Sequence, residues 1–170
     1  MYKVGKVIDS DILEEMAEEC LSRIWGSNQS KVTGNNPYSD VRTSKTFQSH
    51  YRLYPEFCEQ LEDWVGMGCK VSQLDLLLYE EGDKFKIHLD ESSDDSFRRY
   101  WSTTTVLRLS DDFVGEGLRI YGDDPKNKYS IPRQEVGDTV IFRSNLWHEA
   151  SPVEKGTRIV AVAWLDYPKL

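Results

Sequence analysis

The stretch QLDLLLYEEGDKFKIHLD, residues 73–90, contains two β-prone runs separated by a short polar segment. The runs are Gln73–Tyr79 and Lys84–His88, each with the length and composition of a short strand. His88 and Asp90 are two residues apart, and such residues point to the same face of an extended chain. The stretch therefore predicts two strands, the second of which brings a histidine and a carboxylate into one cavity.

Four further β-prone runs follow along the chain, each bounded by Gly, Asp, Asn or Pro. They are Ser102–Leu109, Gly117–Tyr121, Asp138–Phe142 and Arg158–Leu165. Many short strands with this punctuation indicate an antiparallel sandwich or barrel rather than alternating βα units. We expect a double-stranded β-helix, or jelly roll, with an open-ended cavity between its two sheets.

The N-terminal part of the chain has a helical pattern instead. Residues 10–25 carry apolar side chains three and four positions apart, and Tyr54–Val65 has one apolar side. The expected fold class is therefore α+β and mainly β, with the N-terminal helices packed on one sheet. We expect a single domain over residues 1–170, in which residues 1–70 give helical support and residues 71–167 form the jelly-roll core.

Composition limits the partners and the compartment. The net charge of -8 opposes binding to a phosphate backbone, so nucleic acid is excluded as a partner. There is neither an apolar run of eighteen residues nor a secretory signal pattern, which excludes a membrane partner. Cysteines 20, 58 and 69 are odd in number and lack metal-ligand spacing. We expect a soluble, intracellular protein of the cytoplasm with reduced thiols.

His148 lies sixty residues after His88 and supplies a second histidine. Two histidines and one carboxylate leave open positions on a ferrous ion for a co-substrate and dioxygen, as in non-haem iron oxygenases. Arg158, ten residues after His148, opens an apolar strand and can pair with a carboxylate through two hydrogen bonds. The alternatives are a histidine with only a structural role and an arginine that extends to solvent at a strand end.

Three parts of the chain resemble the signatures of a known family. Tyr79–Asp90 resembles the Tyr-X-X-Gly-X-X-aromatic-X-X-His-X-Asp signature of 2-oxoglutarate- and iron(II)-dependent prolyl 4-hydroxylases. Val41–Ser44 is similar to the Arg-Thr-Ser strand of the same family. The residues that resemble the second signature are His148, Pro152, Val153, Gly156, Arg158 and Trp164. The resemblance covers residues 40–165, most of the chain.

The resemblance implies a set of catalytic residues and cofactors. His88, Asp90 and His148 would bind Fe(II), and Arg158 would bind the distal carboxylate of 2-oxoglutarate. Tyr79 would contact the metal-binding end of that molecule. Dioxygen would be the second co-substrate, and ascorbate would serve as the reductant. The implied enzyme is a 2-oxoglutarate-dependent dioxygenase.

The resemblance also implies the substrate, a prolyl residue of a peptide or protein, with succinate and CO2 as co-products. Arg42 and Trp164 would line the entrance where the peptide lies, and Trp101 or Tyr100 would complete an aromatic groove suited to extended proline-rich chains. The polar segment at residues 27–40 would close over the site as a lid.

The chain departs from the family pattern near the co-substrate. Arg108 stands where the family often has tyrosine, so we expect it to face the 2-oxoglutarate pocket and to share or replace a carboxylate contact. Gly115-Glu116-Gly117 replaces the usual Gly-Gly-Glu, and Leu118 stands where some members have threonine. The contacts of the distal carboxylate are therefore open at this point.

Three other functions compete with this one. The first is the same oxygenase chemistry on another side chain, a free amino acid or a small molecule. The second is a non-catalytic jelly-roll binding module. The third is a zinc hydrolase that uses the same ligands, with Glu149 as the general base.

Overall fold

The computed structural model describes residues 1–26, 44–49, 51–91 and 99–167. The helices in these ranges are α1 (Ser10–Gly26) and α2 (Pro55–Val65), preceded by a short 3-10 helix (Tyr51–Leu53). The strands are β1 (Tyr2–Lys6), β2 (Lys45–Ser49), β3 (Lys70–Tyr79), β4 (Phe85–His88), β5 (Trp101–Leu109), β6 (Leu118–Gly122), β7 (Asp138–Arg143), β8 (Trp147–Ala150) and β9 (Arg158–Asp166).

The strands form two antiparallel sheets. The major sheet has six strands in the order β1-β7-β5-β9-β3-β2, and the minor sheet has three in the order β4-β8-β6. Strands of both sheets line a common cavity. Two antiparallel sheets around a cavity, with helices outside one of them, are the predicted jelly roll.

The alternation of side chains along the major sheet separates the core from the cavity. On β3, Leu74, Leu76 and Leu78 belong to the apolar core that includes both helices, whereas Asp75 and Leu77 line the cavity. The helices contribute buried residues at the predicted three- and four-residue spacing: Ile12, Leu13, Met16, Ala17 and Cys20 from α1, and Phe57, Cys58 and Leu61 from α2. One face of the sheet is thus a packing surface and the other is the wall of the site.

Each of the six predicted β-prone runs corresponds to a strand, and the predicted ends agree with the observed ends to within three residues. Three strands, β1, β2 and β8, were not predicted. β1 and β2 are edge strands of the major sheet, and β8 has four residues, WHEA, without an alternating apolar pattern. These segments become strands because they pair with neighbouring strands, and the local sequence pattern carries no information about that pairing.

Neither helix in the described ranges has the length and apolar character required to cross a bilayer. Arg42 and the predicted lid at residues 27–40 lie outside the described residues, so the roles assigned to them stay predictions.

The packing of helices on the sheet gives a stability prediction. Leu76 is fully buried between the helices and the major sheet. We expect Leu76→Ala to lower the free energy of unfolding by about 2–5 kcal/mol, because it removes apolar contacts and leaves a cavity. Denaturant titration measures this change. The control Leu53→Ala is the same substitution at an exposed site and should cost less than about 0.5 kcal/mol; equal losses would contradict the assigned core.

Candidate active site

The minor sheet brings two histidines together. His88 on β4 and His148 on β8 are direct cross-strand partners, so their side chains lie on the same face with ring centroids 4.2 Å apart. Each ring donates its Nδ1 hydrogen to a backbone carbonyl, that of Lys86 at 2.6 Å for His88 and that of Leu146 at 2.8 Å for His148. These bonds fix the tautomer and leave both Nε2 atoms available as metal ligands.

Asp90 lies between the two Nε2 atoms. Its Oδ1 is 3.2 Å from His88 Nε2, and its Oδ2 is 3.2 Å from His148 Nε2. Ser102 on β5 donates a hydrogen bond of 2.7 Å to Asp90 Oδ2 and contacts the Ser144 hydroxyl at 2.8 Å. The backbone N–H of Asp90 donates to the Ser144 carbonyl at 3.1 Å. Both sheets therefore fix the carboxylate.

The three groups are electrostatically coupled. Burial alone would raise the pKa of the Asp90 carboxyl, but the imidazoles of His148 and His88 hold it well below its usual range. Burial would likewise lower the pKa of His148, yet the Asp90 carboxylate raises it above its ordinary value. The site is thus built to hold a carboxylate anion beside shared positive charge, which a divalent cation can supply.

The geometry of these groups fits an iron site. Their ligand atoms all lie within 4.8 Å of one another. Neighbouring ligands of an octahedral ion with bonds of about 2.1 Å are about 3 Å apart, close to the separations of Asp90 from each histidine. Two imidazole nitrogens and one carboxylate on one side of an ion are the ligand set of non-haem iron oxygenases.

A buried arginine lies in the same cavity, which has a volume of about 270 Å³. Arg158, at the start of β9, is 3% exposed, and its Nη2 donates to Gln134 Oε1 at 2.9 Å. The Tyr79 ring centroid is 5.6 Å from the guanidinium carbon. Burial lowers the pKa of Arg158, and no ion pair between described residues includes it. Such a cation is suited to a carboxylate ligand.

Gln134 positions this arginine. Its Oε1 also accepts the Leu118 N–H at 2.7 Å, and its Nε2 donates to backbone carbonyls including that of Glu116 at 3.1 Å. Gly117 has a φ of 70°, and a Cβ there would lie 2.5 Å from Gln134 Oε1 and 3.3 Å from Arg158 Nε. Glycine is therefore required at this position for both its backbone conformation and the space it leaves.

The prediction that Arg108 faces the pocket is wrong. A register shift in the β5–β9 pairing places Val106 opposite Val160 but Arg108 opposite Ile159. This bulge turns Arg108 toward the helices, where its Nη2 pairs with Glu18 of α1 at 2.8 Å. In a regular strand Arg108 would lie on the same face as Val106, but one extra residue on the strand reverses that face.

The two tryptophans predicted to bind substrate lie on opposite faces of the major sheet. Trp164 lines the cavity and is opposite Ser102 in the β5–β9 pairing. Trp101 is opposite Leu165 and packs against the helix-side core. The assignment of Trp101 to the substrate site is therefore wrong, because its neighbour Ser102 is the residue that points to the metal ligands.

The hydrolase alternative loses its general base. Glu149 follows His148 on β8 and points to the opposite face of the minor sheet. Its Oε1 accepts hydrogen bonds from Arg119 Nη1 at 2.9 Å and from the Tyr121 hydroxyl at 2.5 Å. A carboxylate held in this network cannot serve as the general base for a molecule bound on the face of the sheet that carries His148.

Sequence reasoning missed three residues of the site, Gln134, Ser102 and Arg99. Ser102 carries a usable signal, since a buried polar residue on the cavity face of a strand needs a partner there. Gln134 and Arg99 lie outside the strands, so no periodicity places them.

Comparison with known proteins agrees with this site. Residues 74–166, more than half of the chain, match the 2OG-Fe(II) oxygenase superfamily. The chain belongs to this superfamily, as the triad of His88, Asp90 and His148 had indicated.

The relatives include hydroxylases. A PKHD-type hydroxylase of Gloeothece citriformis is 31% identical over 99 residues, which are 57% of this chain and 44% of that protein. The chain thus spans less than half the length of this curated relative.

Two solved structures share the fold. A prolyl-4-hydroxylase of Pseudomonas putida has a TM-score of 0.72 and 18% identity, over 99% of this chain and 93% of the other. A Trichoplax adhaerens prolyl hydroxylase, solved in complex with a peptide fragment of the hypoxia inducible factor, has a TM-score of 0.70 and 14% identity, over 97% and 83%. The predicted jelly-roll fold is therefore confirmed.

Metal titration tests the triad. Wild-type protein should bind one Mn(II) or Fe(II) per chain. Loss of a residue that only hydrogen-bonds to a metal ligand typically lowers metal affinity by about 10–100-fold. His148→Ala removes a ligand itself, so it should lower the affinity by more than about 100-fold. Isothermal titration calorimetry measures both constants. His50→Ala changes the one histidine outside the triad and should retain wild-type affinity. Equal affinities of the wild type and His148→Ala would reject the ligand assignment.

Gln134→Glu tests the arginine site. A carboxylate at this position would neutralise Arg158, so we expect affinity for N-oxalylglycine, an analogue of 2-oxoglutarate, to fall about tenfold or more. Titration in the presence of Mn(II) measures the affinity, and the exposed substitution Glu154→Gln serves as the control. If Gln134→Glu binds N-oxalylglycine as tightly as the wild type, Gln134 does not affect ligand binding at Arg158.

Proposed function

We propose that the protein is a 2-oxoglutarate- and Fe(II)-dependent dioxygenase that hydroxylates a prolyl residue of a peptide or protein, with succinate and CO2 as co-products. The observation that carries the oxygenase assignment is the presence of the triad and the buried Arg158 in one cavity. A metal site alone is compatible with hydrolysis or storage. A metal site beside a buried cation without a carboxylate partner among the described residues fits a bound dicarboxylate.

The side chains have separate tasks in this reaction. Bound iron would supply the centre at which 2-oxoglutarate is bound and dioxygen is activated. Arg158 would pair with the distal carboxylate, and Gln134 would hold the guanidinium in one orientation. The apolar side chains of Leu77 and Val160, which also line the cavity, would exclude water from the bound co-substrate. Trp164 would contact the primary substrate from the same wall.

The peptide substrate has support from the relatives. The Trichoplax adhaerens structure contains a bound peptide fragment, and several curated relatives are named PKHD-type hydroxylases. We extend this substrate class to the present chain together with ascorbate as the reductant.

A cytoplasmic location is also part of the proposal. Cys20, Cys58 and Cys69 are buried and unpaired, which suits a reducing compartment. Burial raises the pKa of the Cys20 and Cys58 thiols to about 12, so they stay protonated and unreactive.

The second candidate is the same reaction on a different substrate. A specific observation favours it. The cavity wall contains the charged residues Asp75 and Arg99, which a prolyl ring alone does not require. A non-catalytic binding module is less consistent with the site, since the three predicted ligands and Arg158 are all present in one cavity.

An assay with Fe(II), 2-oxoglutarate, ascorbate and a set of proline-containing peptides tests the proposal. We expect succinate to form in proportion to a product that is heavier by about 16 mass units, the mass of one oxygen atom. Mass spectrometry of the peptides and quantification of succinate measure both quantities.

The outcomes separate the candidates. Succinate formation without oxidation of any prolyl peptide would favour another substrate. Absence of succinate under all conditions, in protein that binds Mn(II), would favour the binding module. Turnover that N-oxalylglycine fails to inhibit would contradict the use of 2-oxoglutarate.

A further inference from the structure

Arg99 forms a polar cluster with Trp164 and Gln73 in the cavity wall. Its guanidinium carbon lies 4.1 Å from the Trp164 ring centroid. Its Nη2 donates to Gln73 Oε1 at 2.7 Å, and its Nη1 is 3.5 Å from the backbone oxygen of Asp90. The stack and these contacts hold the guanidinium in one plane next to a metal-ligand residue.

Two buried donors of this cluster have no acceptor. Arg99 Nε and Trp164 Nε1 are both inaccessible to solvent and make no hydrogen bond in the described part of the chain. Buried donors are normally paired, and each unpaired donor lowers stability. None of the ion pairs between described residues includes Arg99. Among the described residues, the Arg99 guanidinium therefore has only neutral oxygens as acceptors and no carboxylate partner.

The position of the cluster separates it from the co-substrate site. Trp164 and Arg158 are six residues apart on the same face of β9, a distance of about 20 Å along the strand. Val160 and Val162 lie between them on the cavity face. Arg158 is already placed to bind the distal carboxylate of 2-oxoglutarate, so Arg99 is available to a second molecule.

We propose that Arg99 and Trp164 form a binding site for a carboxylate of the primary substrate, close to the carbon that is hydroxylated. This inference rests on the proposed function and narrows its substrate class. A carboxylate in the cavity pairs with the guanidinium charge through the hydrogens of its Nη atoms, whereas a neutral amide carbonyl accepts a hydrogen bond but leaves that charge uncompensated. The carboxylate is that of a free amino acid, of a C-terminal residue, or of an acidic side chain next to the target residue.

Binding measurements test this site without requiring turnover. The protein is first saturated with Mn(II) and N-oxalylglycine, which fills the co-substrate site, and three matched pairs are then titrated by calorimetry. The pairs are proline and prolinamide, N-acetylproline and its amide, and an end-capped peptide containing Pro-Glu and its Pro-Gln counterpart. We expect the acid of at least one pair to bind about tenfold or more tightly than its amide, and the pair that discriminates identifies the source of the carboxylate.

Two arginine variants assign the preference to a residue. Arg99→Gln should reduce the preference for the acid to less than twofold, with folding checked by thermal melting. Arg143→Gln removes a matched guanidinium, which stacks 4.2 Å over Tyr100 outside the cavity, and should keep the wild-type preference.

Acids and amides that bind within twofold of each other in all three wild-type pairs would overturn the inference, as would a preference that survives in Arg99→Gln. Failure of the wild-type protein to bind N-oxalylglycine would instead overturn the proposed function.

Discussion

The buried Asp90 carboxylate, held between two imidazoles, is the interaction on which the site depends. It lies just beyond the end of β4 and joins the two sheets, because its imidazole neighbours lie on the minor sheet and the Ser102 hydroxyl that supports it lies on the major sheet. An unpaired buried carboxylate would be costly, and the two imidazoles and the Ser102 hydroxyl offset this cost. The strand pairing of His88 with His148 provides the geometry.

The strand β9 organises the rest of the cavity. Arg158 lies at its beginning and Trp164 near its end, with apolar residues between them on the cavity face. The cations at the two ends differ in their surroundings. Arg158 is fixed by a neutral amide, that of Gln134, whereas Arg99 is stacked on the indole of Trp164. A guanidinium thus lies near each end of β9 in the cavity wall, and the histidines of the triad lie on the opposite sheet.

The sequence predicted the strands that have strong patterns, because alternation is a local property, and the family resemblance predicted that His88, Asp90 and His148 come together. Prediction failed where the structure depends on partners in other strands. Arg108 was assigned to the wrong face because the bulge opposite Ile159 is visible only in the pairing of β5 with β9. Trp101 was chosen for its residue type, although its neighbour Ser102 occupies the cavity face. Gln134 contacts Arg158 across 24 residues of sequence, and no periodic pattern records such a contact.

The central claim is that His88, Asp90 and His148 bind one metal ion. Anomalous X-ray diffraction from crystals of the protein grown with Mn(II) and 2-oxoglutarate tests it most directly. The account predicts one strong anomalous peak about 2.1 Å from both Nε2 atoms and from an Asp90 oxygen, with the distal carboxylate of 2-oxoglutarate at Arg158. A fully occupied metal at another position, or a triad that stays empty at saturating Mn(II), would contradict it.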